Sequence, residues 1–442
     1  LARTPQLALS PCRGGVLTAM AYVRYTPEVE AIPPDEDETI DAIIAAMGKG
    51  GEVTCRRYGR YVRVSHAKSH ALLRGELHVR DDLPPELAQG LFAKPGRYSV
   101  VVRMAQVPGE LLDDRRVSTP RGLAIKVLGV GGEKLAGHDA DTQDFVLDTG
   151  TVFNAPTARA FLAAISATET ATALPQAVKA AVSTAARVTN RALNAVGLNS
   201  ANLDFYGHPR LHPLAEPYFS QCALRYGDFV AKLGFFPDGD TMAAVRARGI
   251  DFHDPDALRT AMIAWFTENA AEFDVRVQLC TDLERMPVED ASVDWPQEES
   301  PYRSVARLVL PPQPAWNAVR HTFVDEQLLF CPSHSLAAHR PLGSIMRARL
   351  RAYEVLGNRR RATNGCPLEE PKDLMAMPQE IPSAAALATS ARKGAPVPSS
   401  AGVLVVGALA ALVGAAWFRS RKDEAALRER TAERLRTPTG VN

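Results

Sequence analysis

Five short segments, 61–64, 72–79, 98–104, 123–128 and 144–147, are rich in Val, Leu and Tyr and follow one another with only Gly-, Pro- and Asp-bearing turns between them. Connections this short leave no room for helical crossovers, so the pattern predicts an antiparallel sheet or barrel. Strand patterns resume at 222–236, 273–280, 303–310 and 319–330. Between and after them lie helical stretches: an Ala-rich one at 156–198, with Pro156 and Pro175 placed for helix first turns, another near 256–272, and a last one at about 342–356. The layout is α+β. Residues 20–50 are polar and acidic, with a short helical pattern at Ile40, Ile43, Ile44 and Met47 that predicts an arm packed on the core.

Charge excludes some functions. With 51 Lys+Arg against 50 Asp+Glu the chain has no global field that would draw it to nucleic acid or to an acidic substrate. Its six cysteines, Cys12, Cys55, Cys222, Cys280, Cys331 and Cys366, are scattered and form no cluster of metal-ligand spacing, which fits a reducing compartment. The chain starts at Leu1 and has no continuous apolar run before Met20, which reads as an upstream extension or truncated start rather than an export signal.

The C-terminal region changes character. Pro, Ala and Ser dominate 366–400, a linker composition, and the run 401–418 carries no charge, ends in Trp417 and Phe418, and is followed at once by Arg419, Arg421 and Lys422. It is just long enough to span a bilayer, so a single transmembrane helix at 401–418 with a charged tail at 419–442 is expected. The organisation is therefore read as an N-terminal extension and arm at 1–50, a folded domain at 51–365, the linker, the span and the tail.

Several ordered motifs carry chemistry. Arg63-Val64-Ser65-His66-Ala67-Lys68 is followed by Gly75-Glu76; then come Val102-Arg103 with Pro108-Gly109-Glu110, the run Pro120-Arg121-Gly122-Leu123-Ala124-Ile125-Lys126, the segment 142–147 with Phe153, and finally Phe330-Cys331-Pro332 with Arg349-Leu350-Arg351-Ala352-Tyr353. Arg349 and Tyr353 are four apart on a predicted helix and share a face. A guanidinium beside a phenol favours the phenolate that ferric iron takes as a ligand. By itself the pair fits an amphipathic helix whose Tyr packs and whose Arg faces water better than it fits a ligand site. His66 suits transfer of a proton between the two oxygens of a peroxide, as a neutral imidazole can take it and give it back; alone, it also fits a strand histidine with a satisfied hydrogen bond.

In order and spacing these motifs resemble the catalase superfamily over about residues 55–365, with 167–216 unmatched. The resemblance implies a catalase-like antiparallel β-barrel with surrounding helices and a heme b, whose iron would take Tyr353 as proximal ligand, with His66 as the distal catalytic residue. It further implies that Arg63, Arg103 and Arg360 hold the heme propionates, that Arg349 supports Tyr353, and that Phe153 lies along the porphyrin. The sequence departs from the family in three places. The catalytic asparagine should fall near 139–141, where the chain reads Asp139, Ala140, Asp141; the serine that supports the distal histidine aligns with Ala105; and Ser65 stands where a valine is usual, its hydroxyl either holding the imidazole or facing the other side of a strand. His70 and His78 fall outside the pattern and receive no role.

The expected function is heme-dependent breakdown of hydrogen peroxide or of organic, lipid hydroperoxides. A non-catalytic heme-binding or peroxide-sensing membrane protein is the alternative, and a heme-free tethered barrel a third. The expected partners are the peroxide and, through 401–418, a lipid bilayer; no nucleic acid is expected, and oligomerisation stays open. The heme domain is expected in the cytoplasm. The basic tail, with Arg428, Arg430, Arg434 and Arg436 among its charges, points the other way, and protease digestion of intact cells discriminates the two.

Overall fold

The computed structural model describes residues 22–172, 174–195, 201–366 and 370–373. The transmembrane span expected at 401–418, its tail and most of the linker lie outside these residues. Among the described residues no helix is long and apolar enough to cross a membrane.

Nine strands, among the described residues, form one antiparallel sheet: β1 Ser69–Val79, β2 Gly96–Gln106, β3 Arg121–Leu128, β4 Thr142–Asp148, β5 Tyr218–Phe219, β6 Leu224–Tyr226, β7 Phe229–Pro237, β8 Ala271–Leu279 and β9 Arg303–Leu310. The neighbours run β5-β4-β3-β2-β1-β9-β8-β7-β6. Because β5 pairs with β4 through Asp148 and Phe219 and with β7 through Tyr218 and Phe235, the sheet closes on itself as an eight-stranded barrel, with β6 added as a hairpin on β7. Closure removes exposed sheet edges. The expected antiparallel barrel is thus the fold, including β9 at the residues anticipated.

Alternation along each strand sorts the side chains. Leu73, Leu77, Val102, Met104, Leu123 and Ile125 turn inward and fill the lumen with a continuous apolar core. The opposite face of β1 to β4 carries Leu72, Val101, Ala124 and Val146, and on it packs a second cluster with Phe323, Val324, Leu328 and Phe330. Gly75 marks a tight approach of two strands: a Cβ there would stand 2.5 Å from the Val309 carbonyl oxygen on β9.

Helices surround the barrel. They are α1 Glu36–Tyr58, α2 Ala158–Thr172, α3 Gln176–Ala195, α4 Ala201–Gly207, α5 Gly239–Arg248, α6 Ala257–Phe266, the single turn α7 Ala318–His321 and α8 Ser344–Asn364. The arm is larger than anticipated: α1 runs 23 residues and seats Ile40 and Ile43 against Ala158 of α2 and Ala348 of α8. Glycines close both α1 and α8, Gly59 at φ 71° and Gly365 at φ 68°, a left-handed conformation that glycine adopts without steric cost.

Two expected strands are absent. Residues 61–64 form no strand, and 319–330 is α7 followed by a π-helical turn, Thr322–Gln327. There the apolar residues Phe323, Val324 and Leu328 all pack on the barrel's outer face, which a helical turn permits and an alternating strand would not.

Candidate active site

Between the outer face of β1 to β4 and the helices α1, α2 and α8 lies a cavity of about 720 Å³. All seven residues singled out from the sequence, Arg63, His66, Arg103, Phe153, Arg349, Tyr353 and Arg360, line it. They come from four separate parts of the chain, and each is placed for a local reason.

Helix α8 supplies three of them. Arg349, Tyr353 and Arg360 recur at intervals of four and seven, so one stripe of the helix faces the cavity. Arg349 Nη2 donates to the Tyr353 hydroxyl at 3.2 Å. Burial alone would weaken the basicity of Arg349, but the Tyr353 phenol, Asp148 and Cys222 hold it above the ordinary range, so it stays charged beside the phenol. Arg360 lies two turns on, about 10 Å along the axis.

His66 sits where the chain enters the barrel. Its backbone is left-handed, with φ 56°, an uncommon conformation for a residue with a side chain. Three contacts hold it there: its N–H donates to the Val107 carbonyl at 2.7 Å, the Ala67 N–H to the Pro108 carbonyl at 3.1 Å, and Arg103 Nη2 to the His66 carbonyl at 2.7 Å. The imidazole rests over Gly122, where a Cβ would come within 2.5 Å of Nδ1. Burial pushes the imidazole down to about 4; Asp148 opposes that fall, and Arg103, Arg349 and Arg63 reinforce it. At neutral pH the His66 imidazole is therefore uncharged.

The polar residue facing His66 is Asp148, not one from the 139–141 turn. Asp148 Oδ1 stands 3.5 Å from His66 Nε2, whereas Asp139 and Asp141 are exposed ahead of β4 and do not line the cavity. Ala105, Gly122 and Asp148 form one row across β2, β3 and β4, so two small residues leave clear the space that the imidazole and the carboxylate share. Ser65 lines the cavity, but its hydroxyl donates to the Val107 carbonyl at 3.0 Å and so braces the backbone rather than the ring. His70, buried at the bulge of β1, and His78, bonded to Glu76, stay outside the cavity lining.

At the other end three guanidiniums converge on one turn. Arg63 Nη2 donates to the Val324 and Leu328 carbonyls at 3.0 Å each, Arg360 Nη1 donates to the Asp325 carbonyl, and Arg103 Nε meets Asp325 Oδ1 at 2.5 Å. Asp325 was not foreseen, and it is the hub: its other oxygen accepts from Ser69 Oγ at 2.7 Å. Burial would raise its carboxyl, but Arg103, His321 and Arg63 hold it far below the usual carboxylate range. Burial, with the neighbouring Arg360 and Arg103, pushes Arg63 well below its ordinary value. Arg63 Nε and Arg360 Nη2 are buried and have no hydrogen-bond acceptor. Positive charge thus exceeds what the turn neutralises, and two buried donors lack acceptors.

Phe153 stacks obliquely on Phe161 at 5.4 Å and packs with Ile345 and Met346, giving the cavity an apolar wall. The stretch 167–216, unmatched in the sequence, contributes Asn190, Tyr206 and His208 to the lining, so the cavity continues from the His66 and Tyr353 region toward α3 and α4.

Asp325 carries a stability prediction. Asp325→Asn leaves buried guanidiniums uncompensated, and breaking such a pair costs about 3–5 kcal/mol, read as a lower urea midpoint. Because the folded-state value lies below that of an unfolded carboxyl, the contribution is complete above about pH 4 and is lost as pH falls toward the folded value. An unchanged midpoint at neutral pH would remove Asp325 from the hub.

No protein-family model matches the chain, and no curated protein does. Solved structures similar to it include catalase A from Saccharomyces cerevisiae, 18% identical with a TM-score of 0.48 over 71% of this chain and 63% of that one, and a fungal catalase, 19% identical with a TM-score of 0.47 over 71% and 62%. A bacterial catalase is 16% identical, with a TM-score of 0.46 over 84% of this chain and 71% of that one. The chain therefore spans less than two thirds of the length of the first two.

Proposed function

We propose that the cavity binds heme b through Tyr353 and that the chain breaks down peroxides there, with His66 handling the proton. The observation that carries this reading is the convergence on one cavity of a phenol paired with a charged guanidinium, a neutral imidazole and a cluster of arginines with buried donors to spare. The donor set fits the group. Tyr353 would ligate the iron, Arg349 would stabilise the ligand's charge, Arg63, Arg103 and Arg360 would face the propionates, and Phe153 would contribute an apolar wall. When bound, the heme would supply the electrons that cleave the oxygen–oxygen bond.

The chain's own residues do the rest. His66, neutral and held by its backbone contacts, takes the proton from the peroxide and returns it to the departing oxygen. Arg103 donates to both the His66 carbonyl and the Asp325 carboxylate, which ties the base to the arginine cluster.

A second reading, heme binding or peroxide sensing without turnover, is favoured by one observation: Asp148 presents a carboxylate, which accepts hydrogen bonds where an amide would also donate them. Oxygen evolution and hydroperoxide consumption by the purified, heme-loaded chain separate the two readings. Turnover supports the enzyme; a spectral response to peroxide without turnover supports the sensor.

The substrate side carries a prediction of its own. The cavity extends toward α3 and α4, and the side chain 3.5 Å from the His66 ring is a carboxylate rather than an amide, so bulky organic hydroperoxides are expected to react faster than hydrogen peroxide. Ser65→Val serves as a control and should leave the ratio nearly unchanged, since the hydroxyl is engaged with Val107. A strong preference for hydrogen peroxide in the unmodified chain would refute the expectation.

A further inference from the structure

We propose that Asp148 is the positioning residue for His66, holding the ring by Nε2 and stabilising the charge the ring acquires on taking a proton from a hydroperoxide. The inference rests on the reading of the cavity as a peroxide site, but its physical basis is separate and begins with strand register. Gly122 on β3 is directly opposite Asp148 on β4, and side chains of an opposed pair share a face. Since Gly122 has no side chain, the imidazole occupies the room left beside the carboxylate.

The same missing atom matters for the ring's two nitrogens. A Cβ at position 122 would stand 2.5 Å from Nδ1 and 3.0 Å from Asp148 Oδ1, so any larger residue would crowd both partners. With the N–H on Nε2 directed at Asp148, the lone pair lies on Nδ1. That nitrogen is the acceptor for the incoming proton.

Asp148 Oδ1 is buried and accepts no hydrogen bond, and the 3.5 Å to Nε2 is longer than a good one. Catalytic hydrogen bonds commonly lengthen in the free protein and tighten when charge develops. The step balances simply: the hydroperoxide O–H bond breaks, its electron pair stays on oxygen, the proton bonds to the ring and the imidazole becomes imidazolium. The other charged groups facing His66 are Arg103 from β2, Arg349 from α8 and Arg63 from the entering segment, all of which oppose that charge. Asp148 is the carboxylate among them that favours it, which makes the imidazolium accessible in an otherwise cationic pocket.

The test compares Asp148→Asn and Asp148→Glu with the unmodified full chain. Three quantities are read: heme content by Soret absorbance, the pH profile of organic hydroperoxide cleavage, and the titration of His66 by nitrogen-15 NMR in the heme-free chain. Asp148→Asn should keep its heme, cleave hydroperoxide on the order of tenfold or more slowly at neutral pH, and titrate His66 below the unmodified midpoint of about 4. Asp148→Glu should recover part of the rate, which a purely structural role would not require. An Asn variant with the unmodified rate and an unmoved His66 midpoint would overturn the inference while leaving the heme reading intact. If the unmodified chain takes up no heme, the functional reading falls, and the NMR midpoint still decides whether Asp148 and His66 are coupled.

Discussion

Tyr353→Phe is expected to lose most of the bound heme while keeping the fold. The phenol is the donor on the α8 face of the cavity that suits ferric iron, and Arg349 beside it favours the phenolate. The substitution removes one oxygen from a half-buried ring and leaves the ring's packing in place, so circular dichroism should be unchanged. The measurement is heme per chain after purification and after reconstitution. Full occupancy in the variant would eliminate Tyr353 as the ligand.

His66→Ala is expected to keep heme and to slow peroxide cleavage by at least about 100-fold, the lower end of what a positioned general acid–base contributes. The pH dependence follows from its environment. Burial, offset in part by Asp148, leaves the imidazole at about 4, so it is neutral from roughly pH 5 upward. The rate of the unmodified protein should then be level between about pH 5 and pH 8 and fall only on further acidification. The linked effect on stability has the same sign: between an unfolded value near 6.5 and the folded value of about 4 the unfolded chain binds more protons, so stability falls as pH drops through that window. Stepwise acid quenching with His66→Ala as the control checks both. An unchanged rate in the alanine variant would move the proton-handling role to another residue.

What the sequence made legible were features that local pattern encodes. Strands β1, β2, β3, β8 and β9 are eight or more residues long with a buried face, and their alternation showed them. The pairing of Arg349 with Tyr353 was visible for the same reason, since four-residue helical spacing puts them on one face, whereas Arg360 lay beyond the helix expected at 342–356 and was named only through the resemblance. The strand that closes the barrel, β5, was not legible, because two residues are too few for any periodicity. Residues 319–330 misled because Phe323, Val324 and Leu328 are apolar enough for a strand, while what fixes the helical turn is distant: carbonyls of this turn accept from Arg63 and Arg360.

The least legible parts of the site are its two carboxylates. Asp148 was passed over in favour of the 139–141 turn because its place beside His66 follows from strand register with Gly122 and from the left-handed backbone at His66. Neither is written in the local sequence. Asp325 joins Arg103, 222 positions away, and Ser69, 256 positions away. Only the closed barrel brings those segments together.

Whether this cavity takes a tyrosinate-ligated heme is decided by the optical and electron paramagnetic resonance spectra of the purified chain after addition of ferric heme. The expected result is one heme per chain with a high-spin ferric signal of phenolate ligation that is absent from Tyr353→Phe. Failure to take up heme, or a low-spin histidine-ligated spectrum identical in both proteins, would contradict it.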